Sequence, residues 1–65
     1  MKPHPFARRL RFLREKASLS IPDLAASAKM PRQTIHHLEN GARQPSLDTA
    51  KRLAKALGVS LAEFD

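Results

Sequence analysis

The sequence contains no cysteine, so neither a disulfide nor a zinc–thiolate centre can stabilise the fold. Valine and isoleucine are also scarce, and occur only as Ile21, Ile35 and Val59. β-Branched residues favour strands, whereas the apolar residues of this chain are mainly Leu and Ala, which favour helices. No apolar run is long enough to cross a bilayer as a helix. These absences predict an all-α domain with an aliphatic core and no membrane partner.

The chain is also short and carries no catalytic or metal-binding pattern. Its 65 residues are expected to form a single domain over 1–65, with residues 1–4 as a flexible N-terminus. There is no Gly-rich phosphate loop, no pairing of acids suited to hydrolysis and no Ser–His–Asp arrangement. His36 and His37 are adjacent and point about 100° apart on a helix, so they do not easily share a metal ion. We therefore predict a protein that is not an enzyme and that holds no metal or cofactor.

Acidic residues are few, which leaves the chain strongly basic. Twelve Lys and Arg oppose six Asp and Glu, for a formal charge of +6. This charge favours binding to polyanions, either nucleic acid or an anionic membrane surface, although it also serves solubility.

The residues before Glu15 include five basic side chains and no acid, as in an organelle transit peptide. Phe6, Leu10, Leu13 and Ala17 recur there at helical spacing, so we interpret this segment as helix 1.

Capping signals bound two short helices in the middle of the chain. Ser20, followed three residues later by Asp23, predicts a capping box at the start of a helix over 21–28. A Met-Pro pair at 30–31 interrupts the helical pattern, because the residue before proline is disfavoured in the helical region. Helix 3, which follows helix 2 over 21–28, then begins at 31 or 32 and ends near Glu39, before an Asn-Gly pair.

The remaining chain predicts helix 4 and a short fifth helix. Ser46 is the expected N-cap of helix 4, and Gly58 is its expected stop. Apolar residues at helical spacing form its predicted buried stripe: Leu47, Ala50, Leu53, Ala54 and Leu57. Ser60 and Glu63 form a further candidate capping box, which opens either a truncated helix 5 or a single terminal turn.

Helix 3 combines an apolar face with a polar face. Ile35 and Leu38 share one side and must point at the core. The other side carries hydrogen-bonding residues and no acid: Gln33, His36, His37 and Asn40. Arg32 at the start of the helix can donate two hydrogen bonds to guanine, and Gln33 can pair with adenine. The alternative is an ordinary solvated surface.

Two short helices joined by a tight turn, with a third helix behind them, are typical of a helix-turn-helix. In this motif the second helix lies in the major groove of DNA. The sequence therefore predicts binding to double-stranded DNA through helix 3. Glu39, on the flank of that helix, would repel phosphate unless a cation neutralises it, and Arg14 on helix 1 is the predicted partner.

The order of these segments resembles the Cro and repressor family of phage and bacterial regulators, the XRE-like helix-turn-helix proteins. The resemblance is carried by LSIPDLA at 19–25, IHHLENG at 35–41, the segment 45–61 and the first helix around 13–16. It implies a lambda-repressor-like bundle of five short helices, with helices 2 and 3 as the helix-turn-helix. It also implies a sequence-specific, repressor-like transcriptional regulator that binds DNA as a homodimer, in the cytoplasm of a bacterial or phage-infected cell and on its nucleoid.

The resemblance also implies roles for particular residues. The positions that contact bases are Arg32, Gln33 and His37, with His36 beside them. The positions that contact phosphates are Ser20, Ile21, Pro31, Thr34, Asn40 and Arg43. The family's ion pair between helices 1 and 3 falls on Arg14 and Glu39, the pair argued above from charge alone.

Three residues depart from the family's pattern. Ile21 replaces a common Gln, so a side-chain contact to phosphate is expected to be lost. Lys29 replaces a common Gly in the turn, and a left-handed backbone there would cost about 1–2 kcal/mol. Pro31 replaces the usual Ser or Thr cap of helix 3. The backbone N–H groups at the start of that helix are then left to donate hydrogen bonds to a phosphate.

Two other functions stay open at this point. The same fold can serve as an antitoxin or a bridging protein-interaction module, and an exposed apolar patch would favour that alternative. Phe12 and the Leu61–Phe64 end are the candidate positions, although each could equally be a dimer contact or packed core. Binding to RNA or DNA by charge alone would show a strong dependence on salt with no preferred sequence.

Overall fold

Four α-helices and a final 3-10 turn form residues 5–64, the part of the chain that the computed structural model describes. The elements are α1 (Pro5–Lys16), α2 (Ile21–Ala28), α3 (Arg32–Glu39), α4 (Leu47–Leu57) and the C-terminal turn (Leu61–Phe64). The all-α prediction is confirmed, and no strand occurs between residues 5 and 64. The expected flexible segment 1–4 lies outside the described residues.

Local capping hydrogen bonds explain where α2 and α4 begin. Ser20 Oγ accepts from the Asp23 amide at 3.1 Å, and Asp23 Oδ2 accepts from the Ser20 amide at 3.3 Å. The predicted capping box is therefore confirmed, and it fixes the first residue of α2. At α4, Ser46 Oγ accepts from the Thr49 amide at 3.1 Å, which confirms the predicted N-cap.

Three of the helices are followed by a residue with left-handed backbone. The φ angle is 59° at Ser18, 57° at Lys29 and 72° at Gly58, after α1, α2 and α4 respectively. In each case the next amide donates to the carbonyl oxygen five positions earlier, at 3.0–3.1 Å, and closes the helix end. The stop at Gly58 is confirmed. Lys29 does adopt the left-handed backbone that the family's glycine would favour.

The core draws its fully buried side chains from all four α-helices: Leu10, Leu24, Ile35, Leu38 and Leu53. The Phe6 and Phe64 rings stack over it, with centroids 4.7 Å apart, and so dock the C-terminal turn against α1. Two predicted core positions are wrong. Ala17 is exposed because α1 ends one residue before it. Leu47 is 63% exposed because it is the first residue of α4.

The chain forms one 3-10 turn at its C-terminal end, so the single terminal turn is confirmed and the five-helix count implied by the resemblance is wrong. The Glu63 amide donates to the Ser60 carbonyl oxygen at 3.0 Å, which is the bond of a 3-10 turn rather than a capping-box bond to the hydroxyl. The Glu63 carboxylate instead accepts from Arg9 Nη2 at 3.2 Å, while Arg9 Nε donates to the Glu63 carbonyl oxygen at 2.8 Å. Arg9 on α1 thus holds the turn and takes the carboxylate that the capping box needs.

Candidate nucleic-acid interface

α2 and α3 are joined by a turn over 29–31, and α3 presents its polar face to solvent. Ile35 and Leu38 are fully buried on the opposite face, so packing fixes the rotation of α3 about its axis. The exposed residues around that axis are Arg32, Gln33, His36, His37 and Asn40. The sequence prediction had placed the last four of these on the outer side of this helix and Arg32 at its start. We call Gln33, His37 and Asn40 the polar ridge, because they follow one another at i, i+4 and i+7.

The turn before α3 is held by a contact that the sequence did not reveal. Arg52 Nη2, on α4, donates to the Lys29 carbonyl oxygen at 2.6 Å. Pro31 follows with φ of −62° as the N-cap residue of α3, and no side chain between residues 5 and 64 caps that helix. The Arg52 contact fixes the turn, and the proline fixes the direction in which α3 leaves it. Local patterns gave no signal for Arg52, because the contact joins residues 23 positions apart.

Arg14 and Glu39 join the other end of α3 to α1. Arg14 Nε donates to Glu39 Oε2 at 2.6 Å, and Arg14 Nη2 donates to Glu39 Oε1 at 3.1 Å. Arg14 Nη1 also donates to the Leu19 carbonyl oxygen at 2.8 Å. The hydrogen bonds to Glu39 raise the pKa of the Arg14 guanidinium above its ordinary value, although burial acts in the opposite direction. The charge of the acid on α3 is therefore neutralised within the domain.

A groove of about 230 Å³ runs along one side of α3, towards α4. Thr34 and Arg43 both line it, together with Gln44, Pro45 and Ser46 of the loop that precedes α4. Thr34 is half-buried, whereas Arg43 is exposed. The structure thus brings two of the sequence-predicted phosphate contacts to the same side of the polar ridge.

A second groove, of about 210 Å³, lies on the other side of α3, between that helix, α1 and the start of α2. Its lining includes Ile21, His36 and Asn40, three of the residues singled out from the sequence. Asn40 Oδ1 accepts from the Ala42 amide at 2.9 Å, so the side-chain amide NH₂ is the part left to bind an external acceptor. Thr34 and His36 are two positions apart and lie about 160° from each other around the helix, so the grooves flank the ridge on opposite sides.

Ser20 and Pro31 are less well suited to bind phosphate through their side chains. The Ser20 hydroxyl oxygen and backbone amide are both used in the capping box of α2, so only its hydroxyl hydrogen is available. Pro31 is exposed but has no donor, and Ile21 packs partly against the core. At Pro31 and Ile21, contacts to an anion would have to come from backbone amides of α3 and α2.

Other surfaces of the domain differ from this one. Phe12 is 51% exposed, but the Arg9 guanidinium lies 5.2 Å and the Lys16 ammonium 5.8 Å from its ring centroid. Two cations therefore border the ring. Within residues 5–64, no three His, Cys, Asp or Glu side chains cluster as metal ligands would. No helix in that part of the chain has the length and apolarity needed to cross a membrane.

Two short helices joined by a tight turn, the second with a polar ridge facing solvent and a buried apolar face, define the helix-turn-helix class. The chain belongs to the family of helix-turn-helix domains, whose model matches residues 5–65. It is 34% identical to the solved structure of the restriction-modification controller protein C.AhdI from Aeromonas hydrophila. The TM-score of that match is 0.91, and it covers 94% of this chain and 92% of C.AhdI. The predicted helix-turn-helix fold is confirmed.

Two curated relatives are similar in sequence. One is a putative HTH-type transcriptional regulatory protein of Methanothermobacter thermautotrophicus, 38% identical over 58 residues. The other is the HTH-type transcriptional regulator DdrOP3 of Deinococcus deserti, 36% identical over 53 residues. These matches cover 89% and 82% of this chain, but only 19% and 41% of the respective relatives. The chain thus corresponds to a minor part of the length of both proteins.

Proposed function

We propose that this domain binds double-stranded DNA in a sequence-specific manner and regulates transcription in a repressor-like way. The observation that carries the proposal is the polar ridge of α3 with a groove on each side. The major groove of B-DNA, about 12 Å wide, admits one helix and has a phosphate backbone along both edges. A helix placed there would meet bases at Gln33 and His37 of its ridge, and phosphates at both flanks and at Asn40, where the ridge ends. The relatives described as transcriptional regulators support the same function.

Base recognition is assigned to the exposed residues of α3. Arg32 can donate two hydrogen bonds to guanine, and Gln33 can pair with adenine in the same way. His37 extends the ridge by one turn, with His36 beside it. Each well-formed base contact contributes about 1–3 kcal/mol of discrimination, which is enough for a short domain to prefer one half-site.

Contacts to the DNA backbone are assigned to the flanks of α3 and to the start of α2. They position the domain without distinguishing sequences. Thr34 and Arg43 serve one flank, and Asn40 serves the other. Backbone amides near Ile21 and after Pro31 contribute from the helix starts, with the Ser20 hydroxyl as a further donor.

We further propose that two copies bind paired half-sites as a homodimer, in the cytoplasm and on the nucleoid. Leu47 and Leu61 are exposed beside the loop at Pro45. There they border a third groove, of about 310 Å³, whose lining is mainly apolar. That loop also lines the groove of Thr34 and Arg43, so copies joined there would lie side by side on one duplex. Stable interfaces bury about 1,200 Å² or more, so two exposed leucines favour a dimer that forms mainly on DNA.

The test is selection of bound sequences from a pool of random duplexes at physiological salt. We expect a two-fold symmetric sequence with half-sites about one helical turn apart, because two copies on one face of the duplex require that spacing. Binding without an enriched sequence would indicate a charge-driven binder instead. Absence of binding would favour the protein-interaction alternative.

A further inference from the structure

The groove between α1, α2 and α3 contains a cation to which the proposed function assigns no role. Arg11 lines this groove, and its side chain is 66% exposed. The other residues of the lining come from three different helices or their ends: Arg14, Ile21, His36, Glu39 and Asn40. The groove therefore has two guanidinium groups, one imidazole and one primary amide against a single carboxylate.

The two arginines of the groove differ in what their donors already bind. Arg14 is engaged through Nε and Nη2 with Glu39 and through Nη1 with a backbone carbonyl, and its side chain is only 12% exposed. Arg11 makes one hydrogen bond within residues 5–64, a 3.3 Å contact from Nε to Glu15 Oε2. Glu15 is 57% exposed, so this pair is weak and is readily exchanged for another anion. Arg11 is thus the available cation of the groove.

The rest of the lining determines which ligand this cation can bind. The carboxylate of Glu39 is held by Arg14 and does not compete for Arg11. Asn40 keeps its amide NH₂ as a donor because its oxygen accepts from a backbone amide, while Ile21 offers no side-chain donor. An anion with several acceptor oxygens, such as a phosphodiester, fits a guanidinium beside an amide donor.

We propose that Arg11 binds a backbone phosphate of the duplex in this groove. Asn40 and His36 contact the backbone of the same DNA strand beside it. The guanidinium of α1 thereby supplies the phosphate contact that Ile21 cannot make at the start of α2. His36 then contacts the backbone and not a base, which leaves base recognition to Arg32, Gln33 and His37. This inference rests on the proposed DNA binding, adds Arg11 to its phosphate contacts and reassigns His36 from the bases to the backbone.

The experiment compares Arg11→Gln with Lys16→Gln in the same chain. Both variants remove one positive charge from α1, but Lys16 lies about 140° around the helix from Arg11, beside Phe12. Affinity for random-sequence duplexes about three helical turns long is measured as a function of salt. We expect Arg11→Gln to reduce the slope of log K against log[salt] by about one unit and to weaken binding to every sequence alike. Lys16→Gln should leave the slope unchanged.

The outcomes separate this inference from the function on which it rests. If the wild type binds duplexes and the two variants have equal slopes, Arg11 makes no phosphate contact and only the inference is wrong. If Arg11→Gln changes the selected sequence instead of the slope, Arg11 contacts a base and the inference is also wrong. If the wild type itself binds no duplex, the proposed function and the inference are both wrong. Equal melting temperatures of the two variants exclude a folding defect as the cause.

Discussion

Arg14 and Glu39 form a bidentate ion pair whose side chains are only 12% and 8% exposed. The pair joins the last turns of α1 and α3, so the same contact stabilises the fold and neutralises the acid closest to the polar ridge. Removing one partner of a buried ion pair leaves the other charge buried without a partner, and this strongly destabilises the fold. Replacing both partners with apolar residues changes the stability much less.

Glu39→Gln should therefore lower the free energy of unfolding by about 3 kcal/mol, and the melting temperature by at least about 10 °C. Glu15→Gln is the matched control, because Glu15 is 57% exposed and lies 4.0 Å from the same guanidinium. It should cost less than about 1 kcal/mol. Thermal and urea denaturation measure both values. Equal losses in the two variants would show that the Glu39 pair does not stabilise the domain.

Left-handed backbone at non-glycine residues predicts two stabilising substitutions. Ser18→Gly and Lys29→Gly should each raise the free energy of unfolding by about 1 kcal/mol, since φ is 59° and 57° at these positions. The contact from Arg52 to residue 29 uses the backbone carbonyl and is kept in the glycine variant. Gly58→Ala is the reverse control: its added Cβ meets no atom within 4 Å, so any loss of stability comes from the backbone alone. Denaturation midpoints that fall in Ser18→Gly and Lys29→Gly would contradict this account.

The bounds of α2 and α3 were predictable from the sequence because their signals are local. The box of Ser20 and Asp23 fixes one start, and the proline at 31 fixes the other, each through residues within one helical turn. The orientation of α3 was predictable for the same reason, because Ile35 and Leu38 define its buried face.

Apart from the Arg14–Glu39 ion pair, which charge indicated, features that depend on how distant elements meet were not predictable. A helical pattern places Leu47 on the apolar stripe of α4, but it cannot show that the core ends before the first residue of that helix. The capping pattern at Ser60 is intact locally, yet Arg9 lies 54 positions from Glu63 and binds its carboxylate. The two grooves that flank α3 likewise arise from packing of three or more segments, so most residues of the candidate site were predictable, but Arg11 and the grouping of these residues were not.

Residues of the ridge and of the flank should respond differently to alanine substitution. Gln33→Ala removes a proposed base contact, so it should relax specificity at one base pair and cost about 1–3 kcal/mol on the preferred site. Arg43→Ala removes a proposed phosphate contact, so it should weaken all sequences alike and reduce the salt slope by about one unit. Binding to the selected site and to its single-base variants measures both effects. If both substitutions weaken all sequences equally, Gln33 does not contact a base.

The proposed homodimer predicts a defect that depends on the arrangement of half-sites. Leu47→Ser should weaken binding to a duplex with paired half-sites by at least about tenfold, because each copy loses a buried apolar contact. Binding to a duplex with one half-site should be unchanged. Phe12→Ser is the control, since Phe12 is 51% exposed on the outer side of α1. Quantitative gel shifts measure the cooperativity. Loss of cooperativity in Phe12→Ser but not in Leu47→Ser would place the interface on α1.

Asn40 allows folding and DNA binding to be separated by a change of one heavy atom. Its Oδ1 accepts from the Ala42 amide at 2.9 Å, and an aspartate keeps that acceptor while replacing the amide NH₂ with a negatively charged oxygen. Asn40→Asp should therefore change the free energy of unfolding by less than about 1 kcal/mol, the size of an unfavourable charge near a helix C-terminus. Its affinity for duplex DNA should fall by at least about tenfold, because a donor to phosphate is lost and a repulsive charge is gained.

Asn40→Ala distinguishes this effect from a local rearrangement. It removes both the bond to the Ala42 amide and the donor, so it should lower the melting temperature more than Asn40→Asp does, yet weaken DNA binding less, since it adds no negative charge. Calorimetry and fluorescence anisotropy on the same preparations give both quantities. An Asn40→Asp variant that binds duplex DNA as well as the wild type would mean that the backbone does not pass this end of α3, and the groove of Arg11, His36 and Asn40 would then lie outside the interface.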